Sequence, residues 1–445
     1  MMADILKFTD TTIINKSFEE YEYHEYEPIT GTSLNNGGDI RISIESQDIL
    51  THPSEGYFIF EGRLTKADST LYINADEVAL TNNAIMHLFS RIEYHLSNQL
   101  IESLNYPGQA TTMLGLQTYP DYFSTAQRLN QLWYKCTVTT AAKADNNGFA
   151  ARHAYLIQPA TVKGTLSFRI PMKHIFGFCE DYGKIVYVLK HNLTLVRKTD
   201  DDAIFRLVAV ASAEKVSLDK ISWLIPHVIP ADAEKFSIYK TIESKVKVPV
   251  AYRTRQCDVL LCPESTSFTG RRRVKTSPEK RIFIIVGFQT AKDGDQTKNP
   301  FTYDHVHLRN AYVMLNADRY PTVAYNLSLS NQTFSRVYGD AALFGVKFFG
   351  MDELITQSNI TPRDYKTLYS LFTFDVSKQK EKIKSSVVNI QIKANFTENV
   401  PANTRAFALV ISDMMLSFQS DGNIIAVIYY KLYYEYVYEY VSRFN

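Results

Sequence analysis

The stretch Arg281-Ile-Phe-Ile-Ile-Val-Gly287 decides the fold class of this sequence. It is apolar at successive positions, so both faces of the strand that it predicts must be covered. The stretch Asp39-Ile-Arg-Ile-Ser-Ile-Glu45 instead alternates isoleucine with polar residues, as a strand with one buried face does. Together they predict a barrel that packs against a second barrel or against a neighbouring subunit.

Similar strand patterns continue on both sides of these stretches. Ile92–Ile101 predicts a hairpin that turns at Ser97-Asn98. The other predicted strands are 165–170, 186–196, 204–210 and 218–225 in the first half, and 246–253, 267–275, 323–329, 387–396, 406–413 and 424–430 in the second. Helical patterns are few, the clearest being Thr333–Gly350, which has one apolar stripe and ends at a glycine. Because helices do not alternate with strands, the sequence predicts paired β-sandwiches and not an α/β fold.

Length and composition set further limits. The 445 residues suit two units of roughly 200 residues each, and Pro226–Ala233 is the best candidate boundary. The chain has 29 Tyr and 26 Phe but 2 Trp, and such aromatic enrichment favours strands. The formal net charge is only +1, whereas a protein that neutralises nucleic-acid phosphates is normally far more basic. We therefore expect no strong direct nucleic-acid binding.

The cysteines and the N-terminus bear on compartment and on cofactors. Cys136, Cys179, Cys257 and Cys262 form no CxxC pair and no cluster with zinc-site spacing. The N-terminal residues lack the order of a signal peptide, and no apolar run is long enough to span a membrane. The sequence therefore predicts reduced thiols, a protein that is not secreted, and neither a metal nor a cofactor.

Two charged or histidine-rich stretches are candidates for binding. Arg271, Arg272 and Arg273 form the strongest basic cluster and could meet nucleic acid or an acidic patch on a partner. The ordinary alternative is a solvated strand end. Asp304-His305-Val306-His307 would place both histidines on one face of a strand, but no further ligand stands at diagnostic spacing.

Tyrosine is concentrated at the two ends of the chain. Tyr21, Tyr23 and Tyr26 come early, and Tyr433, Tyr434, Tyr436 and Tyr438 come late. Because a tyrosine ring buries area while its hydroxyl stays hydrogen-bonded, the late tyrosines are candidates for intersubunit contact. A two-faced terminal strand is the alternative interpretation.

Motifs of catalysis are absent from the sequence. It contains no GxSxG, no P-loop, no GxGxxG after a strand and no HExxH. Carboxylates for glycoside chemistry could still converge from distant strands. We predict no catalytic residue and no enzymatic activity.

An ordered set of segments resembles the double jelly-roll major capsid proteins of Polinton/Maverick-like and adintovirus-like elements, including their endogenous homologues in animal genomes. The segments span about residues 38–430 and are Asn82–Asn98, Tyr106-Pro107, Trp133-Tyr134-Lys135, Phe168–Phe176, Leu193–Lys198, Phe205-Arg-Leu207, Ile221–Val228, Asn299-Pro-Phe301 with Asp304-His305, and Phe407–Phe418 with Asp421-Gly422. The Tyr-rich residues after Tyr430 and the arginines at 271–273 depart from the family's usual pattern.

The resemblance implies an all-β double jelly roll, two tandem eight-stranded barrels with short helices in the connections. Its expected parts are an N-terminal arm (1–37), a first jelly roll (38–229), a second jelly roll (230–430) and a Tyr-rich tail (431–445). It also implies a homotrimer with a pseudo-hexagonal outline that tiles an icosahedral capsid and meets penton or minor capsid proteins. Such a protein is made in the host cytoplasm, with the nucleus as a candidate site of assembly, and resides in the virion.

Two other classes of function stay open at the level of sequence. One is a tandem β-sandwich binding module or carbohydrate-active protein, which would usually be secreted and carry a carboxylate pair or an exposed Trp platform. The other is a domesticated host protein derived from a capsid gene.

Overall fold

A computed structural model describes residues 17–29, 32–45, 50–123, 131–157, 164–199, 201–210, 215–273, 280–351, 360–379, 389–420 and 425–429. The strands of the first half, residues 17–230, are β1 Phe18–Tyr26, β2 Gly38–Ile44, β3 Leu50–Thr51, β4 Tyr57–Thr65, β5 Val78–Leu80, β6 Phe89–Leu96, β7 Gln99–Asn105, β8 Thr165–Pro171, β9 Val186–Tyr187, β10 His191–Arg197, β11 Ile204–Arg206 and β12 Lys215–Pro230. Those of the second half, residues 248–429, are β13 Val248–Leu261, β14 Ser267–Arg273, β15 Lys280–Thr290, β16 Leu308–Leu315, β17 Asp318–Tyr320, β18 Leu371–Asp375, β19 Asn389–Phe396, β20 Thr404–Ser420 and β21 Ile425–Tyr429.

Short helices lie in the connections between strands. They are α1 Ala84–His87, α2 Pro107–Thr118, α3 Asn147–Leu156, α4 Gly177–Asp181, α5 Asp232–Glu243, α6 Ser335–Ala342, α7 Phe344–Phe349 and α8 Pro362–Thr367. The predicted helix over Thr333–Gly350 is therefore two helices, interrupted at Leu343. It ends as predicted, because Gly350 adopts the left-handed conformation with φ of 63°.

Both halves repeat one sheet topology. In the first half the orders are β1-β12-β4-β8 and β2-β10-β6-β7, and in the second half they are β13-β20-β15-β18 and β14-β19-β16-β17. Each half thus has two antiparallel four-stranded sheets, and β3, β9 and β21 extend the first sheet of their half. These are the paired eight-stranded sandwiches of a double jelly roll, as the sequence predicted.

The patterns that predicted the fold lie where expected. Ile40, Ile42 and Ile44 on β2 are fully or almost fully buried, and every residue from Arg281 to Gln289 on β15 is buried. β6 and β7 form the predicted hairpin, with Ser97 at a φ of 53° in the turn. A continuous apolar core runs through both halves and includes both tryptophans, Trp133 and Trp223.

Two predicted strands do not form, and the predicted strand 186–196 is two strands, β9 and β10, interrupted after Tyr187 where Val188 has a φ of 51°. Residues 323–329 form no strand apart from a single bridge at Ser328, because Asn326 has a φ of 50° and cannot continue an extended run. Asp304 makes an isolated bridge to Phe288, and the following residues form a turn in which Val306 and His307 have φ values of 41° and 52°. The His305 and His307 rings lie 4.8 Å apart, but they do not share a strand face.

The proposed division of the chain can be compared with these strands. Strand β1 lies within the segment assigned to an N-terminal arm, and it pairs with β12 from Phe18 to Tyr26. The boundary segment Pro226–Ala233 contains the end of β12 and the start of α5. Strands before it pair with one another, as do those after it.

Candidate functional site: the junction between the two halves

The structure describes part of the basic cluster predicted to contact a partner. Arg271, Arg272 and Arg273 are the last residues of β14, and Arg271 is exposed. Of the three arginines, only Arg271 has a side chain that the structure describes. It lines a groove of about 870 Å³ between the halves, together with Arg91, Tyr106 and Ile392.

The other predicted contact residues are the late tyrosines. Tyr433, Tyr434, Tyr436 and Tyr438 lie outside the described residues. Within the described ranges, no group of three or more His, Cys, Asp or Glu side chains is arranged to hold a metal ion. The sequence prediction of no metal and no cofactor stays a prediction.

The most developed polar site is the junction, which we define as Glu102 of β7, Glu180 and Asp181 of α4, and Arg253 and Arg255 of β13. Glu102 is 3% exposed, and its carboxylate accepts hydrogen bonds from the backbone amides of Phe178 at 3.2 Å and Arg255 at 2.8 Å. Burial raises the pKa of Glu102 to about 7, although Arg255 and these amides act in the opposite direction. A carboxylate of the first half thus closes the free edge of β13.

Arg255 of the junction is held by several groups of the first half. It is 2% exposed, pairs with the carboxylate of Glu180, and donates to the carbonyl oxygens of Lys173 at 3.3 Å and His174 at 3.1 Å. Burial, with the positive charge of Arg255 nearby, lowers the pKa of His174 to about 3. A guanidinium buried in this way is costly unless it is paired, so losing one partner destabilises strongly.

Arg253 makes the second ion pair of the junction. Its backbone amide donates to Asp181 Oδ2 at 2.7 Å, and its Nε donates to the same carboxylate at 3.0 Å. Its guanidinium also lies 3.8 Å from the ring centroid of Phe348 in α7. Asp181 therefore satisfies both the backbone and the side chain of one residue of β13.

Close backbone approach brings α4 within reach of β13. A Cβ atom built on Gly177 would lie 1.7 Å from the carbonyl oxygen of Arg253. Any other residue at position 177 would push the helix away from the strand. Glycine at the start of α4 is therefore what allows Glu180 and Asp181 to reach the arginines.

Tyrosine hydroxyls add further bonds between the halves. Tyr252, Tyr303 and Tyr369 of the second half donate to first-half carbonyl oxygens, at 2.9 Å to Ile101, 3.2 Å to Gln109 and 3.1 Å to Cys136. All three rings are buried. Much of the aromatic content noted in the sequence therefore packs inside the chain.

The chemistry of the junction is mutual neutralisation of charge. All four cysteines are buried free thiols, and burial raises the pKa of Cys179 and Cys262, so neither is an activated nucleophile.

Sequence reasoning missed the junction residues. The available signal was the spacing of Arg253 and Arg255, which share one face of a strand; the predicted strand ended at Arg253, whereas β13 continues to Leu261.

This architecture is similar to that of known proteins. A family model described as a double jelly roll-like domain matches residues 78–416. The structure of the Sputnik virophage contains a chain that is 11% identical, with a TM-score of 0.64 over 99% of this chain and 96% of that chain. The mavirus major capsid protein is 10% identical, with a TM-score of 0.54, and the match covers 95% of this chain and 92% of that chain. The Faustovirus major capsid protein is 9% identical, with a TM-score of 0.51, and the match covers 95% of this chain and 94% of that chain.

A comparison with curated protein sequences gives no match. At identities near 10%, the structural likeness shows the fold. Among the described residues, no helix has the length and apolar character needed to cross a membrane.

Proposed function

Because the chain belongs to the double jelly roll-like domain family, we propose that it is the major capsid protein of an icosahedral DNA virus or virus-like element. The observation that carries this proposal is the extent of the structural likeness. It covers 99% of this chain and 96% of the chain in the Sputnik virophage structure, so neither half is left over for another role.

In this proposal the chain works as a trimer. Three chains with two jelly rolls each place six similar barrels around a three-fold axis, which gives the pseudo-hexagonal outline of a capsid facet. Contacts around such an axis are head-to-tail, so each chain offers two different faces to its neighbours. The unlike halves, joined through the junction, supply unlike faces.

The proposed element is of the Polinton/Maverick-like or adintovirus-like type, on the strength of the sequence resemblance. The likeness to the mavirus major capsid protein supports the capsid fold of this proposal. The protein would be made in the host cytoplasm and reside in the virion, where its partners are other copies of itself and penton or minor capsid proteins.

The proposed role is structural, without catalysis. A carbohydrate-binding module would present aromatic side chains on an open platform, whereas Trp133 and Trp223 are both 0% exposed. The carboxylates of the junction are neutralised by arginines and are not free to act as acid and base.

The test combines mass and shape of the purified full chain. Light scattering coupled to gel filtration should give three times the chain mass of 50.9 kDa at micromolar concentration. Negative-stain microscopy should then show capsomers with a hexagonal outline or closed particles. A stable monomer that forms neither would overturn the capsid proposal.

A further inference from the structure

The two halves of the chain place equivalent strands at equivalent edges. By strand order, β1 of the first half corresponds to β13 of the second, and both form the edge beside the long strand, β12 or β20. The hairpins β6–β7 and β16–β17 also correspond. Each has a two-residue turn whose first residue has a positive φ, 53° at Ser97 and 54° at Asn316.

These equivalent edges differ in what covers them. The edge of β13 is closed by the first half, because the Arg253 and Arg255 amides donate to Asp181 and Glu102. Among the residues that the structure describes, nothing covers strand β1 in this way. Within the described part of the chain it pairs with β12 alone, and its residues from Phe18 to Glu25 are all exposed.

The exposed strand β1 has the composition of a contact surface. Phe18, Tyr21 and Tyr23 are 44%, 37% and 43% exposed. The Tyr23 ring lies 5.4 Å from that of Tyr57 in β4, so an aromatic row crosses the outer face of the sheet. An uncovered edge strand with aromatic side chains tends to pair or pack with another chain.

We propose that β1 of one copy docks against β17 and residues 376–379, just after β18, of a second copy. This inference rests on the proposed function, since it specifies the contact that closes the trimer. The proposed contact resembles the junction. Within one chain β7 and the β8–β10 connection cover β13, and between chains β17 and residues 376–379 of the second half would cover β1 of the next copy.

The charges of the two surfaces are complementary. Strand β1 and its flank carry Glu19, Glu20, Glu22, Glu25 and Glu27, of which Glu25 and Glu27 lie near Lys220. The proposed counterpart surface carries two basic side chains, Arg319 and Lys378, beside one exposed carboxylate, that of Asp318 in β17. Arg319 lies on β17, with its guanidinium 4.0 Å from the ring centroid of Tyr312, and Lys378 is exposed just after β18.

The sign of charge is opposite in the two contacts. At the junction the edge strand β13 supplies arginines and the covering surface supplies carboxylates, whereas β1 supplies carboxylates and its proposed cover supplies cations. This reversal would prevent β1 from replacing β13 at the junction, because like charges would face each other. It also predicts that association between copies weakens as salt is raised.

The experiment reverses charge on β1 in the full chain. Glu19→Lys, Glu20→Lys and Glu22→Lys together should convert the trimer to monomer in light scattering, with an unchanged far-UV circular dichroism spectrum. The matched control makes the same charge change at three exposed glutamates elsewhere, Glu234→Lys, Glu243→Lys and Glu264→Lys, and should stay trimeric. A β1 variant that stays trimeric would overturn the inference while leaving the capsid proposal standing.

A compensating variant tests the second surface. Arg319→Glu and Lys378→Glu, added to the β1 variant in one chain, should restore the trimer. If the β1 variant is unfolded, the combined variant is the deciding measurement. A folded trimer of the combined variant supports the contact, and a combined variant that does not form a trimer overturns it. If the parent chain itself is monomeric, it is the proposed function that fails, and the two failures are thereby distinguished.

Discussion

The backbone amide of Arg255 donates a hydrogen bond of 2.8 Å to the carboxylate of Glu102, across 153 positions of sequence. The bond joins an edge strand of the second half to the β6–β7 hairpin of the first. It places an ionisable group where no water can replace its partners, so the stability of the junction depends on pH and on close packing.

Gly177→Ala should be strongly destabilising. The added Cβ would lie 1.7 Å from the Arg253 carbonyl oxygen, so α4 must move and Glu180 and Asp181 must leave their arginines. We expect a loss of about 3 kcal/mol or more in the free energy of unfolding. Gly183→Ala is the matched control, since nothing lies within 4 Å of its added Cβ. Equal urea midpoints for the two variants would contradict the close contact.

Glu102→Gln should change how stability depends on pH. The folded-state pKa of about 7 lies above the ordinary glutamate value of 4.5, so between these pH values the folded state holds a proton that the unfolded state has lost. The contribution of Glu102 is therefore fully present below pH 4.5 and is lost as pH rises to about 7. Relative to the parent, the glutamine variant should gain about 3 kcal/mol across this window. Urea unfolding at pH 5 and pH 8 measures the difference, with Glu20→Gln as control for loss of an exposed carboxylate.

Two buried histidines should respond differently to substitution. Burial lowers the pKa of both His87 and His191 to about 3, so each favours unfolding as pH falls from 6.5 towards 3. Among the described residues neither ring nitrogen of His87 has a hydrogen-bond partner, whereas those of His191 bond Tyr94 Oη at 2.8 Å and Thr51 Oγ1 at 2.9 Å.

We therefore expect His87→Met to change stability by less than about 1 kcal/mol at pH 7 and to lessen acid sensitivity. His191→Met should cost more, because two buried hydroxyls lose their partner. Thermal melts at pH 5 and pH 7 compare the two variants. A larger loss for His87→Met than for His191→Met at pH 7 would contradict this account.

Replacing Arg271, Arg272 and Arg273 together with serine should affect assembly or interior contacts and leave folding intact. Arg271 is exposed, and exposed charges usually change stability by less than about 0.5 kcal/mol each. The melting temperature should stay nearly constant while particle yield falls. A large drop in melting temperature would show that the arginines hold the fold.

Truncation before Tyr433 tests the predicted role of Tyr433, Tyr434, Tyr436 and Tyr438. We expect the shortened chain to remain a trimer in light scattering but to form no particles in negative stain. That result would assign the tyrosines to contacts between capsomers. If the truncated chain assembles like the parent, the tail is dispensable.

Local patterns carried much of the fold. Three features were predicted because a few neighbouring residues are enough to indicate them. They are the alternating isoleucines of β2, the apolar residues on both faces of β15, and the turn at Ser97-Asn98. The failures have local causes that side-chain periodicity does not report. Residues 323–329 alternate like a strand, but Asn326 adopts a left-handed conformation that ends any extended run.

The sequence by itself determined the fold class, because period-two burial repeats along the chain wherever a strand faces a core. Only the tertiary structure decided which charged residues are buried. Glu102, Glu180, Arg253 and Arg255 look in sequence like any solvated charges, and they become a site because the path of the chain brings β7, α4 and β13 together. A charge pair across more than 70 residues leaves no periodic signal, since its energy depends on distance and desolvation, both of which are set by the fold.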